Sequence, residues 1–457
     1  MKITPWCALL AVVVSQTAGS QPPPTTAILF EGARLIVGDG TAPIERSAFI
    51  VENNRFTRIG KKGELRLPAG ATRVDLSGKT VMPAIVDVHG HPGYRKGATF
   101  SADNYTRANL ADILNRYAYY GVAAVLEAGT GRGDLPFEVR AGSQPGARLR
   151  TTFRGIAMPN AGPAPPMRDA AFGVTTEAEA RRDVQELAAR KVDLVKIWVD
   201  DRGGTVPKLT PPLYRAAIDE AHKHDLRVVA HVVELADAKE LLRAGVDGFA
   251  HLVRDKDVDN ELIGLLKQRP SVFVLPTLWG ERRLTYSEKP AWLNAPQLRD
   301  TLTAGDIKQL GDSFEGAATP EAGEKARQYW RMLARTITTL NAAGVRLGLG
   351  TDTGGTNGGQ YFGWASQIEM ETMVSAGLTP AQVLVAATRN SAEILRLDEL
   401  GTIASGKSAD FIVLDANPLD DITNTRRIAK VYLRGMAIDR AALKAGWAGR
   451  ANADRGR

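Results

Sequence analysis

Between residues 27 and 82, apolar and polar positions alternate in short runs at 28–30, 33–37, 48–52, 56–59 and 73–76. Gly38-Asp39-Gly40, Asn53-Asn54 and the glycine-flanked lysines of 60–63 punctuate them as turns. This pattern predicts a small all-β piece. From Met82 to Leu397 the period changes. Apolar, β-rich runs at 85–89, 123–127, 152–157, 194–199, 228–232, 248–251, 272–276 and 346–352 alternate with amphipathic helical stretches such as 177–190, 211–224 and 236–244. Eight strands alternating with helices predict an α/β fold, a parallel (β/α)8 TIM barrel. The β pattern returns after Gly401, at 411–414 and 429–433. Residues 27–82 and 401–440 are therefore expected to build one composite β-sandwich domain beside a barrel of 83–400.

Two segments break the alternation. Residues 278–323 are too long for a plain βα loop and carry Trp279, Tyr286 and Trp292. They read either as a lid over the barrel mouth or as an excursion packed on its surface. Residues 441–457 are basic and rich in small side chains, a composition that suits a disordered tail.

The first residues change where the protein is expected to work. Lys2, the apolar run from Trp6 to Val14 and the small residues Ala18-Gly19-Ser20 have the layout of a signal peptide over 1–20, followed by a proline-rich linker at 21–26. An exported, periplasmic or secreted protein follows. Cys7 is the single cysteine and would leave with the signal, so any metal must be held by nitrogen and oxygen donors. The net charge of +7 is scattered over 457 residues, without the clustered basic and aromatic residues of a nucleic-acid surface. No later run is apolar for long enough to span a membrane. A small-molecule substrate is the expected partner, and a homo-oligomer stays open.

Candidate chemistry sits where the predicted strands end. His89 and His91 stand two apart on an extended run, which puts both imidazoles on one face. His231, His251 and Asp352 close the fifth, sixth and eighth strand candidates, at the end of a barrel where active sites lie. His222 and His224 end a charged helix, where they complement its dipole, and no function is assigned to them. Lys196 lies in the apolar fourth strand and has three readings: an ion pair with Asp200 or Asp201, a snorkelling side chain, or a buried amine. Burial lowers the pKa of an amine, and a neutral amine can add carbon dioxide to give a carbamate able to bridge two divalent ions.

The set His89-Gly90-His91, Lys196, His231, His251 and Asp352 resembles the amidohydrolase superfamily, and within it the imidazolonepropionase-related group with a carboxylated lysine. That group includes binuclear enzymes similar to Xaa-Pro and other dipeptide carboxypeptidases. The flanks 81–87, 386–392 and 401–415 share the likeness. The resemblance implies two divalent metal ions, zinc by default. His89, His91 and Asp352 would hold the first, His231 and His251 the second, and Lys196 as N6-carboxylysine would bridge them. It further implies that a metal-bridged hydroxide cleaves an amide C–N bond, peptide-like or of an N-acyl amino acid. Asp352 would be general base and acid, with His231 and His251 beside it in the catalytic set. A lactone or ester could use the same site.

Three positions depart from the pattern. Gly90 stands where bulkier residues are usual, and Glu127 stands near where an arginine-aspartate pair is common and reads as structural. His231-Val232-Val233-Glu234 matches the His-x-x-Glu of mononuclear deaminases, whose Glu shuttles protons. The plain alternative for Glu234 is an acid in the first turn of the next helix. A non-catalytic binding protein on the same fold is the remaining alternative. Substrate-choosing residues are expected in the βα loops: Arg95, Lys96, Arg132, Asp200, Asp201, Arg202, Trp279, Gln360 and Tyr361. The basic ones would suit a substrate carboxylate.

Overall fold

The computed structural model describes residues 27–455 apart from 69, 98, 143–144, 166, 315–318 and 356–360, with the side chains of the last helix described as far as Ala448. The expected signal and linker, and Gln360, lie outside the described residues.

Two sheets are built from the chain ends. Ile28–Glu31, Ser47–Glu52, Arg55–Lys61 and Thr72–Asp75 form one. Its hairpin turns on Asn53 and Asn54, both with left-handed backbone angles, the geometry asparagine tolerates best after glycine. The second joins Arg34–Leu35 and Thr80–Pro83 to Phe411–Leu414, Ile428–Leu433 and Met436–Ala437. Thr80–Pro83 pairs antiparallel with Phe411–Leu414, Val81 opposite Val413, so the distant chain ends meet in one ladder. Phe30 and Phe49 from one sheet and Phe411 and Tyr432 from the other share an apolar cluster. Phe30 stacks on Phe49 at 5.0 Å and Phe411 on Tyr432 at 4.5 Å. Offset aromatic pairs of this kind add to plain area burial.

The middle of the chain alternates strand and helix. Its main strands are β1 (Ile85–Gly90), β2 (Val122–Glu127), β3 (Arg148–Thr151), β4 (Val195–Val199), β5 (Val228–Val232), β6 (Gly248–Ala250), β7 (Phe273–Leu275) and β8 (Arg346–Leu347). All pairings among them are parallel. They fall into two arcs, β3-β2-β1 and a longer sheet running through β4 to β8. The ring expected from the sequence is thus not one continuous ladder. Backbone bonds outside the ladders link its neighbours instead: Val88 N–H to the Leu349 carbonyl at 2.8 Å and His91 N–H to that of Thr353 at 2.6 Å on one side, and Asp193 N–H to that of Thr151 at 2.9 Å on the other.

The third strand differs most from expectation. Residues 152–157 were to be extended, yet the strand ends at Thr151, and Phe153 is left-handed. The chain turns at Phe153 and then passes close under Trp198 at Gly155, where a Cβ would stand 2.1 Å from the ring; only Ile156–Ala157 rejoins β4.

Helices cover the strands. Glu177–Ala189 starts on a capping box between Thr176 and Glu179, and Leu235–Ala244 ends on left-handed Gly245. Residues 279–312 of the long insertion form short helices, and Trp279, Trp292 and Phe314 join Trp364 in one aromatic cluster. The tail expected to be disordered is a helix, Arg440–Arg455. Trp447 anchors it: the ring is buried 5.4 Å from Tyr119, and Nε1 donates to Asp112 at 2.8 Å. Among the described residues no helix is long and apolar enough to cross a membrane.

Candidate metal and catalytic site

The apolar run of β1 is buried at every position and delivers His89 and His91 to its C-terminal end. Asp87 beneath them accepts from His89 N–H (3.2 Å), Thr351 Oγ1 (2.7 Å) and Ser366 Oγ (3.0 Å), tying β1 to the stretch after β8. Burial pushes its carboxyl up to about 6 against those hydrogen bonds. Asp352 then enters from the far side. Its Oδ1 lies 2.9 Å from His91 Nε2 and 3.4 Å from His89 Nε2, and one donor atom from each of the three residues falls within 4.8 Å of the others. Burial would raise the Asp352 carboxyl, but the hydrogen bond with His91 and the charges of His89, His91 and Lys196 draw it well below the usual range.

The other imidazoles complete an arc, with ring centroids 5.1 Å apart for His89 and His251 and 4.5 Å for His231 and His251. His251 Nδ1 is bonded to Thr277 Oγ1, and His231 Nε2 lies 3.0 Å from Asp200 Oδ2. Burial pulls His231 down to about 4 and His251 well below its ordinary value, which keeps both rings neutral and able to ligate. His251, Thr277 and Asp352 all have positive φ, at 127°, 49° and 55°. Non-glycine residues in that region cost free energy and cluster at functional sites.

Lys196 is 1% exposed, and its Nζ has no hydrogen-bond partner among the described residues. Asp200 and Asp201 do not pair with it. Asp200 turns to His231 and the Arg202 N–H; Asp201 takes the Gly203 N–H and lies 3.9 Å from Lys208. Nor does the amine reach solvent. Burial, the largest effect, pushes Lys196 down to about 7. Both ring nitrogens of His89 are likewise buried without a hydrogen-bond partner. Orphaned donors of this kind, converging with neutral imidazoles and one carboxylate, are the polar set that a hard or borderline divalent cation satisfies.

A cavity of about 410 Å³ opens over this cluster, lined also by Met167, Trp198, Arg202, Arg254 and Tyr329. Of the substrate residues expected from the sequence, Asp200 and Arg202 line it. Arg95, Lys96 and Tyr361 line a different cavity. Trp279 is buried in the aromatic cluster of segment 278–323, and Arg132 pairs with Asp169 at 2.8 Å. Glu127 is buried and accepts from Thr151 Oγ1 (2.6 Å) and Thr130 Oγ1 (2.9 Å); Thr130 Oγ1 in turn lies 3.2 Å from His91 Nδ1. Glu234 caps the helix after β5 and binds Lys208 at 3.0 Å, outside the cavity lining. Gly90 has its own reason: a Cβ there would stand 2.9 Å from the Tyr117 hydroxyl.

Arg254 was missed by sequence reasoning, although its place three residues past His251 was a usable signal. Its Nε is buried without a partner, and its guanidinium reaches His231 Nε2 at 3.4 Å and Glu281 at 3.3 Å. Tyr329 arrives from helix Pro320–Ala342, and no local pattern announces it. Glu369, also missed, is buried and accepts from the backbone N–H groups of Leu278 (2.8 Å) and Trp279 (2.7 Å), next to the Thr277 that orients His251.

Known proteins resemble this chain over most of its length. An imidazolonepropionase from Streptomyces griseus is 24% identical over 396 residues, covering 83% of this chain and 89% of its own. A 5-methylthioadenosine/S-adenosylhomocysteine deaminase from Halalkalibacterium halodurans is 23% identical over 382 residues, covering 75% and 74%. Among solved structures, a candidate prolidase from Bifidobacterium longum superimposes with a TM-score of 0.72 at 26% identity, covering 94% of this chain and all (100%) of the other. A Xaa-Pro dipeptidase with bound methionine gives 0.71 at 21%, covering 90% and 100%. The fold is of the TIM-barrel type. The model of the amidohydrolase family matches residues 80–438, and the chain belongs to that family, as an enzyme that hydrolyses C–N bonds.

Proposed function

We propose that the chain is a metal-dependent hydrolase of an amide bond, in a small peptide-like or N-acyl amino acid substrate. The observation that carries this reading is the convergence of buried His89 and Lys196 nitrogens, without hydrogen-bond partners among the described residues, with His91, His231, His251 and Asp352 under one cavity. Two divalent ions, zinc by default, fit this donor set. His89, His91 and Asp352 would hold one, His231 and His251 the other, with Lys196 as N6-carboxylysine between them. When bound, such ions activate water and polarise a carbonyl.

The chain's own residues do the rest. Asp352, kept ionised by its histidine neighbours, takes a proton from the water that adds to the amide carbon and delivers it to the nitrogen as the C–N bond breaks. Thr277 and Asp200 orient His251 and His231 by hydrogen bonds to their rings. Arg254 and Arg202 give the cavity a cationic wall that matches a substrate carboxylate, while Met167 and Trp198 offer it an apolar wall. A deaminase would need Glu234 over the site; its ion pair with Lys208 argues against that use. We assign residues 1–20 to a cleaved export signal and the mature enzyme to the periplasm or the exterior. We also take the eight strands to close as a (β/α)8 barrel, with 27–82 and 401–440 as its β-sandwich.

Metal per protomer in wild type and Lys196→Ala, with a panel of dipeptides, N-acyl amino acids, esters, lactones and aminopurines, tests the reading. About two ions falling to one or none, with amide turnover lost, is expected. One ion in both proteins, or turnover confined to aminopurines, would overturn it.

A further inference from the structure

A second cavity, of about 260 Å³, lies apart from the one over the histidines and shares no lining residue with it. It sits between the short strand Arg95–Lys96, helix Arg107–Tyr119, segment 301–306 and the C-terminal helix. Arg95 forms one side. Arg95 is 6% exposed; among the described residues its Nε is buried without a hydrogen-bond partner, and its side chain makes one hydrogen bond, a long 3.4 Å contact to the Gly355 carbonyl. No carboxylate among the described residues lies within ion-pair distance of it. The other charges at this cavity are accounted for. Arg116 is paired with Asp112 at 2.8 Å, and the Asp306 carboxylate takes Thr303 N–H and Oγ1 at 3.0 and 2.8 Å. Lys96 is exposed to solvent.

A buried cation without a counter-charge is costly, and the natural compensation is an anion. The rings of Phe100 and Tyr361 flank the guanidinium at 5.8 and 6.0 Å, which steadies the fork that a carboxylate matches with two hydrogen bonds. Ile113, Leu302, Phe362 and Trp447 supply apolar surface opposite. We infer that this cavity is a second ligand site, for a small carboxylate bearing an apolar or aromatic group, with Arg95 as the residue that binds its carboxylate. The volume suits a single-ring or branched aliphatic acid better than a drug-sized ligand. Gly355 lines the histidine cavity while its carbonyl faces Arg95, so a ligand that draws Arg95 away releases a contact beside Asp352. Occupancy of one cavity is thereby coupled to the other, and the coupling is reciprocal.

The test is calorimetric titration of the full-length metal-loaded enzyme with 3-phenylpropanoate and with 3-phenylpropan-1-ol. Wild type is compared with Arg95→Met, Arg95→Lys, Leu302→Trp and Arg202→Met, the last removing a cation from the histidine cavity. One equivalent of acid is expected to bind wild type and Arg202→Met alike. Binding should weaken at least tenfold in Arg95→Met, fall less in Arg95→Lys, disappear when Leu302→Trp fills the cavity, and be absent for the alcohol. No saturable binding to wild type overturns the proposal. So does binding that follows Arg202, or binding of acid and alcohol with equal affinity. If Arg95→Met does not fold, Leu302→Trp and the acid-alcohol comparison decide alone. Because the readout is binding, it stands or falls separately from turnover at the histidine cavity.

Discussion

Glu369 should reverse its effect on stability across an ordinary range of pH. Burial pushes its carboxyl from an ordinary 4.5 up to about 8, and the charges of Asp87 and Asp352 add to the shift while the two backbone donors oppose it. Between those values the unfolded chain carries this group ionised and the folded chain keeps it protonated. The folded state binds the extra proton, so stability falls as pH rises, by about 1.4 kcal/mol per pH unit. Glu369→Gln abolishes that titration. It also leaves an amide NH2 against the N–H of Leu278 or Trp279, at a cost of about 1–3 kcal/mol for one buried unsatisfied donor. At about pH 5 the cost dominates and the variant should melt below wild type; by about pH 8 wild type has lost on the order of 4 kcal/mol and the order inverts. Thermal melts in matched buffers across that range, followed by near-ultraviolet circular dichroism of the Trp279 cluster, read the crossing. A melting difference that stays constant with pH would refute the reasoning, because the carboxyl would then ionise alike in both states.

Three further substitutions probe the supports of the site. Gly129→Ala would place a Cβ 2.5 Å from the Trp198 ring and 2.9 Å from Lys196 Cγ at a φ of +90°; the backbone alone costs about 1–2 kcal/mol, and elemental analysis should find less metal per protomer. Thr130→Val cuts the Glu127–Thr130–His91 chain and should weaken metal affinity by about 10–100-fold in a chelator competition, with wild-type affinity counting against a role in orienting His91. Trp447→Ala removes the anchor of the last helix at a cost of about 3 kcal/mol, visible as a lower melting point and faster proteolysis of the C-terminus.

What the sequence made legible is what neighbours in sequence decide. An apolar run ending in a histidine marks a buried strand with a ligand at its tip, and β1, β5 and β6 each place one there. Failures came from partners far along the chain. Trp279 is expected among the substrate residues because it stands at the start of a long insertion after the seventh strand; it is buried in an aromatic cluster instead, its N–H held by Glu369 on a helix well downstream. The third strand turns at Phe153 and passes close under Trp198 of β4 at Gly155, which no local pattern of residues 152–157 reveals. The tail, judged by composition, carries one tryptophan whose docking on Tyr119 and Asp112 outweighs many small residues.

The pairing of Thr80–Pro83 with Phe411–Leu414 also sets an order of assembly during synthesis. Val81 must wait for Val413, a delay of roughly 20–60 s at ordinary rates of translation. Until then the strand that leads directly into β1 and its two histidines is paired only with Arg34–Leu35, and its other edge is open to any passing strand. A cell making this enzyme therefore has to shield that edge until the last tenth of the chain emerges, and a product cut short before Phe411 never covers it.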